Sequence, residues 1–347
     1  MLAVVIEPQV IRVGQHCAVS FHRTLRIPDD GRPYPLPPGL GSFPLLRVEA
    51  YADRLPPAWR ERGGACIAMY QREALWLGFH GVSWSPNAVK IGLGGINALS
   101  GQPFDSTLHD DPQDYVVVPE QPWLDGFKTG QGTVRQFVAM PLGLGYTVEA
   151  ALTGHEQYGG IEIMVFAAQP GRFPDTPPPT LEHGPGPMAM SGLRSDNARA
   201  MGLGAGGVMQ QRIYPDPYGL AVWDQNNYGR VTVHILNSAQ YHEITGEELP
   251  PTPIAAATYT AHGLPWFALY DEARGDIAPS ALLEQAKTIA KRDAERGITR
   301  EDQSSFEVPE TQIERLRPRR TGSARAPCRS EQRGRSDVGD VPEEETP

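Results

Sequence analysis

Proline and glycine interrupt this chain at short intervals, and this feature restricts the fold more than any other. The sequence contains 37 glycines and 34 prolines in 347 residues, well above their average usage. Both residues destabilise the interior of an α-helix, glycine through its backbone entropy and proline through its missing N–H group. The pattern disfavours a helical bundle and predicts a turn-rich protein built mainly from short strands. Hydrophobic residues form 40% of the chain, which is enough for a large core.

Charge and hydropathy exclude several classes of protein. The formal net charge is −10, which argues against general nucleic-acid binding because such binding requires a basic face. The chain has no apolar run of about 18 residues, so we expect no membrane-spanning helix. The N-terminal apolar run is interrupted by Glu7 and Pro8, which indicates a first strand rather than a signal peptide.

Cysteine usage indicates the compartment. Cys17, Cys66 and Cys328 are far apart and form no CxxC pair, so neither a disulfide framework nor a zinc cluster is expected. We therefore predict a cytoplasmic protein with no metal and no cofactor. Composition leaves open whether the chain forms one large domain or two, and it leaves homo-oligomerisation open as well.

Three apolar segments alternate with polar residues between Gly132 and Ala168. Their sequences are TVRQFVAM, YTVEAALT and IEIMVFA, separated by glycines at 143–145 and 159–160. Alternation with a period of two residues is typical of half-buried strands, and glycines between strands indicate turns. We predict an antiparallel meander here, within a β-rich core formed by residues 1–168.

The chain after this core divides into three parts. Residues 169–187 are rich in proline and glycine and are predicted to form a connector. Residues 188–298 are predicted to form a smaller α/β part packed on the core. Residues 299–347 combine opposite charge blocks with little apolar content, which predicts a disordered tail. The predicted fold class is α+β and β-rich, with a large antiparallel core.

The α/β part contains clear capping signals. It is predicted to hold the strand VTVHIL, three helices, and a strand in LPWFALYD. The expected helices are SAQYHEIT, capped by Asn237 and closed by Gly246; IAAATYTAH, opened by Thr252–Pro253 and closed by Gly263; and a final helix from Ser280 to Arg296.

A glycine-rich string, GLGAGG, matches a dinucleotide-binding pattern in spacing only. Gly202, Gly204 and Gly207 fit GxGxxG, and Asp224 lies near the position of a ribose-binding acid. That motif requires a buried strand before the glycines and a long helix after them, and the flanking sequences predict neither. We interpret the string as a glycine turn that allows close backbone packing.

Other motifs leave alternatives open. The string HDDPQD at His109–Asp114 has the composition of either a hard-cation site or a turn, and we favour the turn. WDQNNYG at Trp223–Gly229 is interpreted as a hairpin turn rather than a calcium loop. Trp123, in a predicted loop WLDGF, is either an interface aromatic or a core anchor. GxSxG, HExxH and P-loop motifs are absent from the sequence.

These observations favour a soluble, non-catalytic binding or assembly module for protein or glycan. The alternative is a hydrolase or ligase-like enzyme whose site is assembled from dispersed His and Asp residues. A deep pocket that gathers His109, Asp224 or His262 would favour the enzyme. The candidate ligand or interface surface consists of Trp123, Asp125, Gly204, Gly206, Gly207, Asp224 and His262.

Several strings resemble an uncharacterised family of bacterial and fungal proteins, some of which look like fusions to a ubiquitin-like domain. They are VPEQPWLDGF, GTVRQFVAMPLGLGYTVEAALTG, GLGAGGVMQQRIY and HILNSAQYHEITGEELPPTPIAAATYTAHGLPWF, within Val118–Asp271. The resemblance implies that the predicted meander and the capped helices belong to one recurring unit. It implies no activity and no site residues.

Overall fold

A computed structural model describes residues 1–174, 176, 200–249, 251, 254–269, 274–300 and 304–316. The strands are β1 (Val4–Ile6), β2 (Val10–Val13), β3 (Cys17–Thr24), β4 (Pro33–Tyr34), β5 (Gly39–Ser42), β6 (Leu46–Arg47), β7 (Ala65–Met69), β8 (Ala74–His80), β9 (Asn87–Leu93), β10 (Ile96–Asn97), β11 (Val116–Val118), β12 (Trp123–Leu124), β13 (Gly126–Gly130), β14 (Thr133–Pro141), β15 (Ile161–Ala168), β16 (Met201–Gln210), β17 (Trp223–Asn237), β18 (Trp266–Leu269) and β19 (Ile313–Leu316). The α-helices are α1 (Pro57–Arg62), α2 (Val148–Thr153), α3 (Ser238–Thr245), α4 (Ala256–Ala261), α5 (Ala281–Gln285) and α6 (Ile289–Glu295).

The predicted fold class is confirmed: the protein is β-rich, with one large, mainly antiparallel sheet and a few short helices. Strands β1 to β17 belong to this sheet, in which β16 with β4 and β17 with β7 form parallel pairs. Strands β18 and β19 form a separate parallel pair. Within the described residues, no helix is long and apolar enough to cross a membrane.

Alternation along the strands places one face of the sheet in the main apolar core. In β3, Val19 and Phe21 are fully buried in this core, while Ser20 and His22 lie on the opposite face. The sheet also extends past the predicted connector, because β16 pairs with β14 and β17 pairs with β15 and β7. The region predicted as a smaller α/β part packed on the core therefore contributes two long strands to the core sheet.

The predicted meander between Gly132 and Ala168 is wrong. TVRQFVAM and IEIMVFA form β14 and β15, but most of YTVEAALT folds into α2. The Thr147 side chain caps this helix by accepting a hydrogen bond from the Ala150 N–H, and Gly154 ends it in a left-handed conformation. Strand β14 pairs with β13, β16 and β8, whereas β15 pairs with β9 and β17.

The glycine string lies inside β16 rather than in a turn. A Cβ at Gly204 would lie 2.7 Å from the Tyr146 carbonyl oxygen, and one at Gly207 would lie 2.3 Å from that of Pro28. The glycines therefore allow close backbone packing, as interpreted, but they do so within a buried strand. Because no turn and helix follow, this is not a dinucleotide-binding motif. The predicted hairpin turn WDQNNYG is also wrong, since it forms the first part of β17.

The C-terminal caps are largely confirmed. Asn237 caps α3 and Gly246 ends it, while Ser280 caps α5. The helix predicted from Ser280 to Arg296 is two helices, because Thr288 caps α6 with its side chain and interrupts the run. The expected cap at Thr252–Pro253 lies outside the described residues; α4 begins at Ala256.

Part of the segment predicted as a disordered tail is folded. Strand β19 pairs with β18, and Leu316 is buried in the main core. The Phe306 ring packs 4.8 Å from the Tyr34 ring and 5.6 Å from the Trp266 ring, measured between centroids. Apolar contacts made by these few side chains order residues 304–316, which the local composition did not predict. The predicted disorder of residues 317–347, and most of the predicted connector, lies outside the described residues.

Candidate ligand-binding cavity

Most of the residues predicted as a ligand or interface surface are buried. Trp123 and Asp125 are 1% and 0% exposed, because the predicted loop WLDGF forms β12 and β13 instead. The Asp125 Oδ2 accepts a hydrogen bond from Gln211 at 2.8 Å. Asp224 is half-buried and His262 is exposed at the end of α4. The other members of the predicted surface, Gly204, Gly206 and Gly207, are buried in β16.

A cavity of about 750 Å³ lies elsewhere, over the face of β15 and β17 opposite the main core. Its volume falls within the range of roughly 300–1,000 Å³ that is typical of ligand pockets. The charged and aromatic side chains of its lining come from five separate chain segments. They are Glu49, Arg62, Phe104, Tyr158, Glu162 and Arg230. His109, Asp224 and His262 do not line this cavity.

Glu162 forms the floor of the cavity. The alternation IEIMVFA turns Ile161 and Ile163 toward the main core and places Glu162 on the opposite face, where it is 4% exposed. Its two carboxyl oxygens lie 3.2 and 3.3 Å from the Gly95 backbone nitrogen, which donates a hydrogen bond.

The protonation of Glu162 is set mainly by burial. Burial raises the pKa of this carboxyl from 4.5 to about 7, and the negative charge of Glu149 adds to the rise. The Gly95 hydrogen bond and the positive charges of Arg230 and Arg62 oppose the rise in pKa. Near neutral pH the carboxyl is therefore present in both forms, so it is able to donate as well as accept a hydrogen bond.

A glycine opposite Glu162 makes room for the floor of the cavity. Gly92 of β9 is directly paired with Glu162 of β15. A Cβ at Gly92 would lie 2.7 Å from the Phe104 ring and 2.9 Å from the Glu162 Oε2. Any larger residue at this position would displace one of these two side chains.

Two arginines flank the opening. The Arg62 guanidinium lies 4.2 Å from the centroid of the Tyr158 ring, and that of Arg230 lies 5.8 Å from the centroid of Phe104. These contacts are cation–π interactions, which orient the guanidiniums without neutralising them. Among the acidic side chains of the described residues, none forms an ion pair with Arg62 or Arg230. Each arginine therefore presents a planar fork suited to a carboxylate or a sulfate.

The string HDDPQD contributes to a neighbouring charge cluster. Ligand atoms of Asp105, His109 and Asp114 lie within 4.8 Å of one another, close enough in principle to hold a metal ion. The Lys90 ammonium, however, lies 2.6 Å from the Asp105 Oδ1 and 2.7 Å from the Asp114 Oδ2. Lysine already supplies the positive charge that a metal would bring, so we interpret the cluster as a structural ion-pair network.

A second cavity, of about 620 Å³, contains Arg72 and Glu73. Two of its charged groups, Arg72 and Glu73, are neutralised by direct contacts. The Arg23 Nε donates to the Glu73 Oε1 at 2.6 Å, and the Arg72 Nη2 lies 2.8 Å from the Asp293 Oδ2. The Glu162 cavity is the better candidate because its charged groups lack such partners among the described residues.

Glu162, Arg62 and Arg230 were not among the site residues predicted from the sequence. The available signal was a glutamate inside the apolar strand IEIMVFA, since an ionisable residue in a buried strand requires a reason. The arginines carried no signal, because only the fold brings the end of α1 and the middle of β17 to the same opening.

Comparisons of the chain with protein-family models, with curated proteins and with solved structures return no match. The resemblance to the bacterial and fungal family therefore stays a prediction.

Proposed function

We propose that this protein is a binding module for an acidic glycan, and that the Glu162 cavity is its binding site. The observation that carries this proposal is the pairing of a buried, partly protonated carboxyl with two arginines that lack acidic partners in the described part of the chain. A sugar acid carries the complementary groups, because its hydroxyls bond to the carboxyl and its anionic group bonds to a guanidinium.

The cavity supplies three kinds of recognition. Arg62 and Arg230 bind the anionic group through charge-assisted hydrogen bonds, which are stronger than neutral ones. Glu162 exchanges hydrogen bonds with hydroxyls in either protonation state. Phe104 and Tyr158 hold the two guanidiniums in place and provide apolar surface beside them. A protein partner, the other class considered, would have to insert an acidic side chain into the same opening.

We further propose a cytoplasmic location. Cys17 and Cys66 are free, buried thiols, and burial raises the pKa of each to about 12, so both remain protonated at neutral pH. Inert, unpaired thiols of this kind are typical of proteins that fold under reducing conditions.

The proposal is tested on a glycan array that carries uronate, sialyl and sulfated oligosaccharides, each beside its neutral counterpart. We expect the full chain to be retained by acidic members only, with retention falling as salt rises. Arg62→Gln and Arg230→Gln should each weaken the binding about tenfold, the effect of losing one charge-assisted hydrogen bond. Arg32→Gln is the matched control, since Arg32 is exposed and contacts Glu307, and neither residue lines the cavity. Retention of neutral and acidic members alike, or of neither, would overturn the proposal.

One observation favours a second function, hydrolysis of the same glycan. A carboxyl with a pKa of about 7 is suited to donate a proton to a glycosidic oxygen, and Glu49 provides a second carboxylate in the same cavity. The test is the release of reducing ends from glycans retained on the array. Release by the wild-type chain but not by Glu162→Gln would support hydrolysis. Retention without release would leave binding as the function.

A further inference from the structure

A second polar cluster lies on β3, β5 and β8, outside the lining of the Glu162 cavity. The Ser20 Oγ lies 2.7 Å from the His22 Nε2 and 2.8 Å from the His80 Nε2. On the other side of the His22 ring, the Nδ1 lies 3.3 Å from the Ser42 Oγ. One serine hydroxyl is thus placed between two imidazoles, and one of these imidazoles is bonded in turn to a third side chain.

Strand register assembles this cluster from the side of β3 that faces away from the main core. In the antiparallel pair of β3 with β8, Ser20 is opposite Gly78 and His22 is opposite Trp76. A Cβ at Gly78 would lie 2.6 Å from the Ser20 Oγ and 3.0 Å from the His22 Nε2. Glycine at this position therefore makes the space that the serine and histidine side chains occupy.

The number of protons on the serine and histidine side chains determines which group accepts the hydrogen bond from the Ser20 hydroxyl. A hydroxyl carries one proton, and a neutral imidazole donates from one nitrogen and accepts at the other. In a chain of bonds running from His80 through Ser20 and His22 to Ser42, both possible directions are self-consistent. In either direction, Ser20 donates its proton to an imidazole Nε2. The competing acceptor, the Gly78 carbonyl oxygen, is 3.4 Å away, farther than the Nε2 atom of either histidine.

His22 is the better positioned of the two histidines to act as the base. Its ring is stacked on that of Trp76, with centroids 4.0 Å apart and planes 14° apart, and it is 8% exposed. Ser42 bonds to its second nitrogen. A base that is oriented by a third group is the arrangement that activates nucleophilic serines. His80 is exposed, whereas Ser20 is 4% exposed.

We propose that Ser20 is the nucleophile of an acyl-transfer site, with His22 as its general base, acting on esters. The Ser20 Oγ attacks the ester carbonyl carbon while its proton passes to the His22 Nε2. The bond from that carbon to the alcohol oxygen breaks, and His22 returns the proton to the departing alcohol. Water then attacks the acyl-serine, His22 accepts a proton from the water, and the Ser20 Oγ leaves and regains a proton, which releases the carboxylic acid.

The test uses a fluorophosphonate probe, whose phosphorus is attacked by an activated serine with loss of fluoride. Intact mass spectrometry of the full, folded chain should show one added group, and peptide mapping should place it on Ser20. Labelling of the wild-type chain at any other residue, or no labelling, would overturn the proposal. Because mapping uses the wild-type chain, this result does not depend on the folding of a variant.

Variants then separate the roles within the cluster. Ser20→Ala should abolish labelling, and His22→Gln should slow it at least a hundredfold, as expected for loss of a general base. Ser106→Ala, at an exposed serine away from the cluster, should label like the wild type. Equal rates for His22→Gln and wild type would remove His22 as the base. These measurements involve no glycan, so they succeed or fail independently of the proposed binding function.

Discussion

Two buried charged groups on neighbouring strands differ in whether a group of opposite charge contacts them directly. Lys90 of β9 is paired with Met164 of β15, and Glu162 lies two residues away from Met164 on the same face. Lys90 is 0% exposed and its ammonium contacts the carboxylates of Asp105 and Asp114. Glu162 is nearly as buried, yet its carboxyl receives only a backbone hydrogen bond from Gly95 among the described residues.

The Phe104 ring lies between these two regions. Its centroid is 5.7 Å from the Lys90 Nζ and 5.8 Å from the Arg230 guanidinium. On one side of the ring the charge is neutralised by direct contact, which stabilises the fold. On the other side, the positive charges of Arg62 and Arg230 remain at the mouth of the cavity. The Glu162 carboxyl has no direct ionic partner among the described residues, and burial raises its pKa. A buried charge without a direct partner is therefore better evidence for a binding site than a buried charge with one.

The largest expected effect on stability follows from removing the Lys90 ammonium, which neutralises Asp105 and Asp114. Lys90→Met leaves Asp114 buried without its cation, and we expect the free energy of unfolding to fall by about 3–5 kcal/mol. Urea unfolding monitored by fluorescence measures this loss. The matched control is Lys287→Met, which removes a half-exposed ion pair with Glu295 and should change stability by less than about 1 kcal/mol. Similar losses in both variants would end the distinction between the two regions.

On the cavity side, removing the charge should increase stability above neutral pH. The pKa of Glu162 rises from 4.5 unfolded to about 7 folded, so between these values the folded chain binds more protons. Its contribution is therefore fully present below pH 4.5 and is lost as pH rises through 7. The Glu162→Gln variant has no carboxyl to ionise, so its free energy of unfolding does not fall in this way. Relative to wild type, its stability should therefore increase by about 3 kcal/mol between pH 4.5 and pH 8. Parallel stability curves for the two chains would contradict a raised pKa.

A smaller effect on stability is expected from filling the space at Gly92, beside Phe104 and Glu162. Gly92→Ala places a methyl group against Phe104 and Glu162 and should cost about 1–3 kcal/mol, as overpacking does. It should also weaken binding of acidic glycans, because the cavity floor is displaced. Gly275→Ala is the control, since its Cβ would lie 3.4 Å from the nearest atom, an ordinary contact. Thermal unfolding of both variants measures the difference; equal melting temperatures would show that Gly92 is not a packing requirement.

The smallest effect concerns the arginines at the mouth. Because Arg230 is exposed and opposes the rise in the Glu162 pKa, Arg230→Gln should leave stability at pH 5 within about 0.5 kcal/mol of wild type. It should raise the pKa of Glu162 further. A carboxyl-carbon NMR titration of the labelled protein measures this shift. A lowered pKa would mean that Arg230 does not act on the cavity floor.

Local signals in the sequence predicted local structure well. Asn237 and Gly246 marked the two ends of α3, and Ser280 marked the start of α5, because a cap requires only residues within one turn. The segment YTVEAALT was predicted wrongly because its alternation indicated a strand, while Thr147 and Gly154 cap a helix, α2. The local pattern was compatible with both structures.

The candidate sites were less predictable than the elements that carry them. Alternation in IEIMVFA implied that Glu162 and Ile163 point to opposite faces, but not what covers the Glu162 face. The Ser20 cluster depends on the register between β3 and β8, which places His80 near Ser20 although 60 residues separate them along the chain. Neither strand carries a pattern that specifies this register.

The order of amino acids alone predicts that the protein is β-rich, that several helices begin and end at particular caps, and that the glycines of GLGAGG permit close packing. The helix caps follow from interactions among residues close together in the chain. The shared cavity of Glu162, Arg62 and Arg230 and the folding of residues 304–316 depend on contacts between distant parts of the chain. The physical reason is that strand pairing and apolar burial are long-range interactions, and a local pattern identifies a buried face without identifying the residues that will bury it.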